Sequence, residues 1–225
     1  WEFRYVRSRC AGRDRTVRLQ HVLLEPDRIE GVPLPPKIAA SAGRPIDDVE
    51  ANLPPKDEAE WMKFDVIILG DVAPKYLGPA EQLILQKFVA DRGGTLIIVS
   101  GPLYMPHVYG GTPLAEVLPV VFKKDDKPIM TGPEKSFRIA LTAEGRESVI
   151  MRQQVAAEAS QEIWDAVPDI YWRHPIMHAK EGATVLAYAM PASPPDFLPK
   201  KVAAGAAPAE AAGDAVMRDR RDFER

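Results

Sequence analysis

The chain has 225 residues, with 29 Lys and Arg against 32 Asp and Glu, a net charge of -3, and 46% hydrophobic and 27% charged residues. These are the proportions of an ordinary globular protein with room for one sizeable α/β core, and the slight acidity gives no reason to expect nucleic acid. The single cysteine, Cys10, excludes an internal disulfide and a cysteine-based zinc site. No apolar run approaches the ~18–20 residues of a membrane span, and nothing resembles a signal peptide.

Trp1 to Gly12 suits a helix, with Phe3, Val6 and Cys10 at helical spacing and Gly12 as a stop. Around it Arg4, Arg7, Arg9, Arg13, Arg15 and Arg18 face only Glu2 and Asp14. A basic amphipathic stretch of this kind can touch phosphate or an anionic membrane surface, and it equally makes a solvated helix face. Val17 to Leu24 alternates Val17, Leu19, His21 and Leu23 before Glu25-Pro26, the pattern of a strand. Residues 26–60 hold seven prolines and read as a long irregular insertion, either functional or mobile.

The strongest pattern runs from Phe64 to Gly101. Val66–Leu69 and Thr95–Val99 are apolar, β-branched and without alternation, as expected for strands covered on both faces. Between them Gly78-Pro79 opens a helix with Leu83, Leu85, Phe88 and Val89 at near-helical spacing, and Gly93-Gly94 closes it. A βαβ crossover implies a parallel sheet in an α/β domain, with ligands gathering beyond the carboxyl ends of the strands. Those ends are Gly70-Asp71 and Ser100-Gly101-Pro102.

Pro113 to Leu118 suits a short helix after the loop Tyr109-Gly110-Gly111-Thr112. Phe137–Leu141 reads as a strand, Ser160–Trp164 as the start of a short helix, and Ala183–Ala189 as a strand that ends at Pro191. Residues 199–225 turn to Ala, Gly and Pro and then to the charged MRDRRDFER, the composition of a linker or tail.

Four segments in this order, WEFRYVRSRCAGRD, FDVIILGDVAPKYLGPAEQLILQKFVADRGGTLIIVSGP, YGGTPLAEVLPV and FRIALTAEGRES with the later IWDAVPDIYW and GATVLA, carry a resemblance. Over residues 1–198 the chain resembles the class I glutamine amidotransferase-like domain of large bacterial membrane proteins, often found beside von Willebrand A-type domains. The resemblance implies a three-layer, flavodoxin-like α/β sandwich with a mostly parallel sheet, lacking terminal strands in this stretch. It also implies a domain of a longer, membrane-associated parent, soluble in itself and reaching the membrane only through segments outside it. Its implied partners are other domains of that parent or an envelope protein.

An active class I amidotransferase needs a Cys nucleophile on a strand-to-helix turn, with a His and a Glu two residues apart as base and orienter. Here the turn corresponds to Gly101-Pro102-Leu103, without a Cys, and Cys10 lies on the first helix. No His-x-Glu occurs; His178-Ala-Lys-Glu181 has a different spacing. The sequence therefore predicts no catalytic residues, no cofactor and no metal, and a domain that binds a ligand or protein. The alternative is an amidohydrolase whose site is atypical or completed from outside.

The candidate ligand residues are Asp71, Ser100, Gly101, His107, Gly110 and Gly111. Asp71 at a strand end suits a ligand amine, a ribose or a metal, or else a cap on the following turn. Ser100 lacks the Gly-x-Ser-x-Gly elbow of a nucleophile. His107 follows Met105-Pro106 on the ligand side of the second strand, as a binding or a plain loop histidine. Gly110-Gly111 offers backbone amides to an anion, or a tight turn into the next helix. His174 and His178 have the i, i+4 spacing of helical metal ligands, but Pro175 and Ile170-Tyr171-Trp172 argue against a helix.

Overall fold

The computed structural model describes residues 6–8, 16–24, 30–33, 35–44, 51–132 and 135–191. A short helix α1 (Glu58–Trp61) precedes the parallel unit, with the Asp57 side chain accepting from Glu60 N at its N-cap. Strand β1 (Val66–Leu69), helix α2 (Pro79–Ala90) and strand β2 (Thr95–Ile98) follow, and β1 and β2 pair in parallel from Val66↔Thr95 to Leu69↔Ile98. The expected crossover is present at the expected residues. Pro79 occupies the first turn, where its missing N–H leaves no bond unmade, and beyond the helix Gly94 N donates to Phe88 O at 2.9 Å.

Helix α2 turns Leu85 and Phe88 inward against Ile67 and Leu69, and this cluster continues to Trp61, Leu77, Met105, Tyr109 and Leu114. Burying so many large side chains in one place is the main stabilising term of the fold. Leu83, expected inside, is exposed, and the polar Gln82 is buried in its turn of helix. Gln82 is accommodated because its Nε2 donates to Leu77 O at 2.8 Å and its Oε1 accepts from Leu114 N at 3.3 Å. That second bond fixes the start of helix α3 (Pro113–Val117), found where the sequence places it.

The rest of the body is antiparallel. Strand β3 (Val120–Phe122) pairs with β7 (Ile176–Ala179), β4 (Ile129–Met130) with β6 (Trp172–Arg173), and β5 (Phe137–Leu141) with β8 (Ala187–Pro191). Between β5 and β6 lie α4 (Ala143–Glu147) and α5 (Ala157–Asp165). Thr142 caps α4 by accepting from Gly145 N at 2.9 Å.

This architecture overturns the expectation of a three-layer flavodoxin-like sandwich with a mostly parallel sheet. Among the described residues there is one parallel pair beside three antiparallel ones, and each sheet has two strands. A further parallel strand needs a crossover of a dozen or more residues. After residue 118 the strands are two to five residues long, and β6 and β7 are separated only by His174 and Pro175. Such short segments instead pair antiparallel with partners more than forty residues away. Nor are the two parallel strands covered on both faces: Ile67 and Leu69 face the core, while Val66 (49%), Ile68 (43%) and Ile97 (43%) stay exposed.

Toward the amino terminus residues 6–8 are helical, and the remainder of the helix expected over Trp1–Gly12 lies outside the described residues. The strand expected over Val17–Leu24 contracts to a single parallel bridge, Val22↔Ala51. The insertion at 26–60 is less irregular than its prolines suggest. Ala39 bridges Leu53, Ala40 and Ala51 are buried, and Asn52 accepts from Ile38 N at 2.8 Å while donating to Pro36 O at 2.7 Å. The tail assigned to 199–225 also falls outside the described residues.

Candidate functional site: a cleft beside the parallel strand ends

Asp71 follows the carboxyl end of β1, and its carboxylate reaches across to the loop after β2. One oxygen accepts from Leu103 N at 2.8 Å, and the other from Tyr104 N and Met105 N, both at 2.8 Å. A carboxylate with several amide partners is well satisfied and holds the loop's conformation. Gly101 lies directly under it: a Cβ there would overlap the Asp71 carboxyl, so only glycine permits the approach. The Gly101 amide donates to Met105 O at 3.0 Å, closing the loop on itself. Asp71 therefore holds the loop after β2, and not, as its capping reading had it, the turn that follows it.

His107 lies in a short 3-10 turn, His107–Tyr109, and is buried with 6% of its surface exposed. Its ring stacks on that of His174 with centroids 5.3 Å apart, and Trp172 meets His174 edge-on at 5.7 Å. His174 Nε2 lies 3.0 Å from the Gly101 carbonyl. A carbonyl only accepts, so Nε2 carries the proton. Burial, foremost, and then the neighbouring His107 push the His174 pKa below the usual histidine value; the Gly101 and Met105 carbonyls and Asp71 pull the other way. In the resulting neutral ring Nδ1 is an acceptor, and it is buried without a partner, as is Nδ1 of His107. Tyr109, deeper still, donates its hydroxyl to Val72 O at 2.8 Å. Burial and then the charge of Asp71 raise its pKa to about 12.

Three of the six candidates, Asp71, Gly101 and His107, thus meet in one place, joined by His174. Ser100 is exposed beside them on the wall of an adjoining cleft. Gly110 is buried on the other side of the loop, where a Cβ would come within 2.6 Å of the Lys124 backbone, and its amide donates to His107 O at 3.5 Å. Gly111 is exposed at a φ of +73°. The pair makes the turn into α3, the plainer of its two readings.

The cleft, about 620 Å³, runs between the parallel and the antiparallel regions. Leu96 and Ile98 of β2 form one wall, and Leu118, Val120, Ile170 and Trp172 face them; Ser100, Arg173 and His174 are its polar groups. Its lining is mainly hydrocarbon with a few polar groups, and it is half open to solvent. Among the described residues no three His, Cys, Asp or Glu gather as metal ligands, and His178 stands exposed in β7.

The sequence reading missed His174 as a partner of the strand-end loop and considered it only with His178. The β-leaning run Ile170-Tyr171-Trp172 before it was the available signal, because a strand there ends just before His174 and leaves it in the turn that precedes the strand holding His178. No protein-family model matches the sequence, and no curated protein or solved structure is significantly similar to it. No helix among the described residues is long and apolar enough to cross a membrane.

Proposed function

We propose that this chain is a binding domain whose ligand enters the cleft between β2 and the antiparallel region. The observation that carries the reading is the engagement of Asp71. The carboxylate at the strand end, where a reacting group would stand, is occupied by three backbone amides, while an apolar cleft lies open beside it. A group so held is a poor general base, because most of its lone pairs are already taken. The resemblance of the sequence to amidotransferase-like domains, in which the Cys and His-x-Glu positions are not filled here, supports the same reading. It also supports a place within a larger membrane-associated protein, with that protein's other domains or an envelope protein as partners.

Two measurements on the purified chain test this. Fragment screening by amide-resolved NMR is expected to move resonances of Leu96, Ile98 and Trp172. No ammonia is expected from glutamine. Ammonia release that disappears in Cys10→Ala would replace the binding reading with the enzymatic alternative.

A further inference from the structure

Strand β2 is paired along one edge only. Thr95 N donates to Asp65 O at 3.0 Å and Val99 N to Leu69 O at 2.8 Å, so the odd-numbered residues of β2 turn their backbone groups toward β1. In a parallel pair the residues between them turn theirs the other way. Those residues are Leu96 and Ile98, and among the described residues their outward N–H and C=O groups have no partner. Both line the cleft, across from Ile170, Trp172 and Ile176. The antiparallel region bonds to this side of the chain past the strand, where His174 Nε2 donates to Gly101 O at 3.0 Å. Alongside Leu96 and Ile98 the cleft separates the two. Thr95–Ile98 also carries no proline, lysine or bulge, the usual protection of a free edge.

We infer that the cleft takes an extended peptide segment of a separate protein, which adds to β2 as a third strand of the β1–β2 sheet. Its backbone supplies the acceptors and donors that Leu96 and Ile98 call for. Its alternate side chains lie on the same face as those two residues and are apolar, to match Val117, Leu118 and Trp172 around them. A small apolar molecule would fill the walls and leave the strand edge unpaired. The stretch after β8 is a poor occupant, because residues 192–225 carry Pro194, Pro195, Pro199 and Pro208 and no run of alternating large apolar residues. The assignment rests on the binding reading above and adds the ligand class to it.

The test uses the full chain, observed by amide NMR. Without peptide, Leu96 and Ile98 amides are expected to exchange faster than Ile97. Protection independent of protein concentration would assign the edge to a segment of the same chain, and protection that grows with concentration to a second copy; either overturns the separate partner. The probe is acetyl-Thr-Val-Thr-Val-Thr-amide, which is expected to shift Leu96, Ile98 and Trp172 and to slow exchange at Leu96 and Ile98. Two further peptides are N-methylated at both valines or at the three threonines. Only one set of N–H groups can face β2, so one of these peptides is expected to lose at least about tenfold in affinity and the other to keep most of it. An equal effect of the two overturns strand addition. Replacing both valines by glutamine is expected to weaken binding, and equal binding overturns the apolar class. Indole serves as a neutral apolar probe: if it binds and the peptide does not, the strand assignment falls and the binding reading stands. If neither moves a cleft resonance, both fall.

Discussion

Between residues 57 and 118 the chain closes on its own core; between 120 and 191 it forms three short ribbons that leave much of their apolar surface in water. Every member of the main buried cluster comes from the first region, where α2 supplies Leu85 and Phe88 and the post-β2 loop supplies Met105 and Tyr109. The second region buries Leu141 but exposes Met130, Met177, Val185, Tyr188 and Met190. A helix laid across two parallel strands shields a continuous hydrocarbon face, whereas an isolated two-stranded ribbon has one face to bury and little to bury it against. The first region is therefore the foundation, and the second supplies the facing wall of the cleft.

Substitution should separate the two regions. Phe88→Ala, at 0% exposure, is expected to destabilise the protein by about 3–5 kcal/mol in chemical denaturation, whereas Tyr188→Ala, half exposed on β8, should cost much less. Comparable losses at the two positions would mean that the ribbons share the core. Next in size is Asp71→Asn, which keeps the shape but has only one acceptor oxygen for three amides. A loss of about 1–3 kcal/mol is expected, with faster hydrogen exchange at Leu103 to Met105. Unchanged exchange there would sink the loop-holding role.

The smallest effect is acid sensitivity at the boundary between the regions. His174 is held neutral, so the unfolded chain binds a proton before the folded one does. Stability from this group is complete above the ordinary histidine value of 6.5 and is lost as pH falls from there to the lower folded value. The groups facing it are His107, stacked on it, and Asp71. Denaturation midpoints at pH 7.5 and 5.5 should differ less in His174→Gln, whose amide can still donate to Gly101 O. An equal difference would place the acid sensitivity elsewhere.

The same contrast explains what the sequence disclosed. The parallel unit was legible because β-branched runs, Gly78-Pro79 and Gly93-Gly94 are local signals, and the helix and both strands stand where those signals put them. Around it the helix at Pro113, the strand Phe137–Leu141 and the helix over Ser160–Trp164 were legible too, but the pairing of the strands was not. Ile129–Met130 and Trp172–Arg173 are too short to show a period, and their pairing is decided by partners some forty residues away. The flavodoxin-like sheet was an extrapolation from one crossover, and it failed where the chain turned to short ribbons. For the site, a strand-end aspartate was the right place to look, but only geometry showed its oxygens engaged. His174 joined it through a carbonyl 73 residues away, a distance in sequence that no spacing rule spans.

Gly101 and Gly110 have a consequence for how variation in this protein should be interpreted. One has the Asp71 carboxyl where a side chain would be, and the other has the Lys124 backbone. In a saturation screen for folded, well-expressed protein, both positions would reject every replacement, and they flank the buried His107. Such a cluster of intolerance looks like the imprint of an active centre. Here it would record two places where the chain passes too close to itself to admit a methyl group.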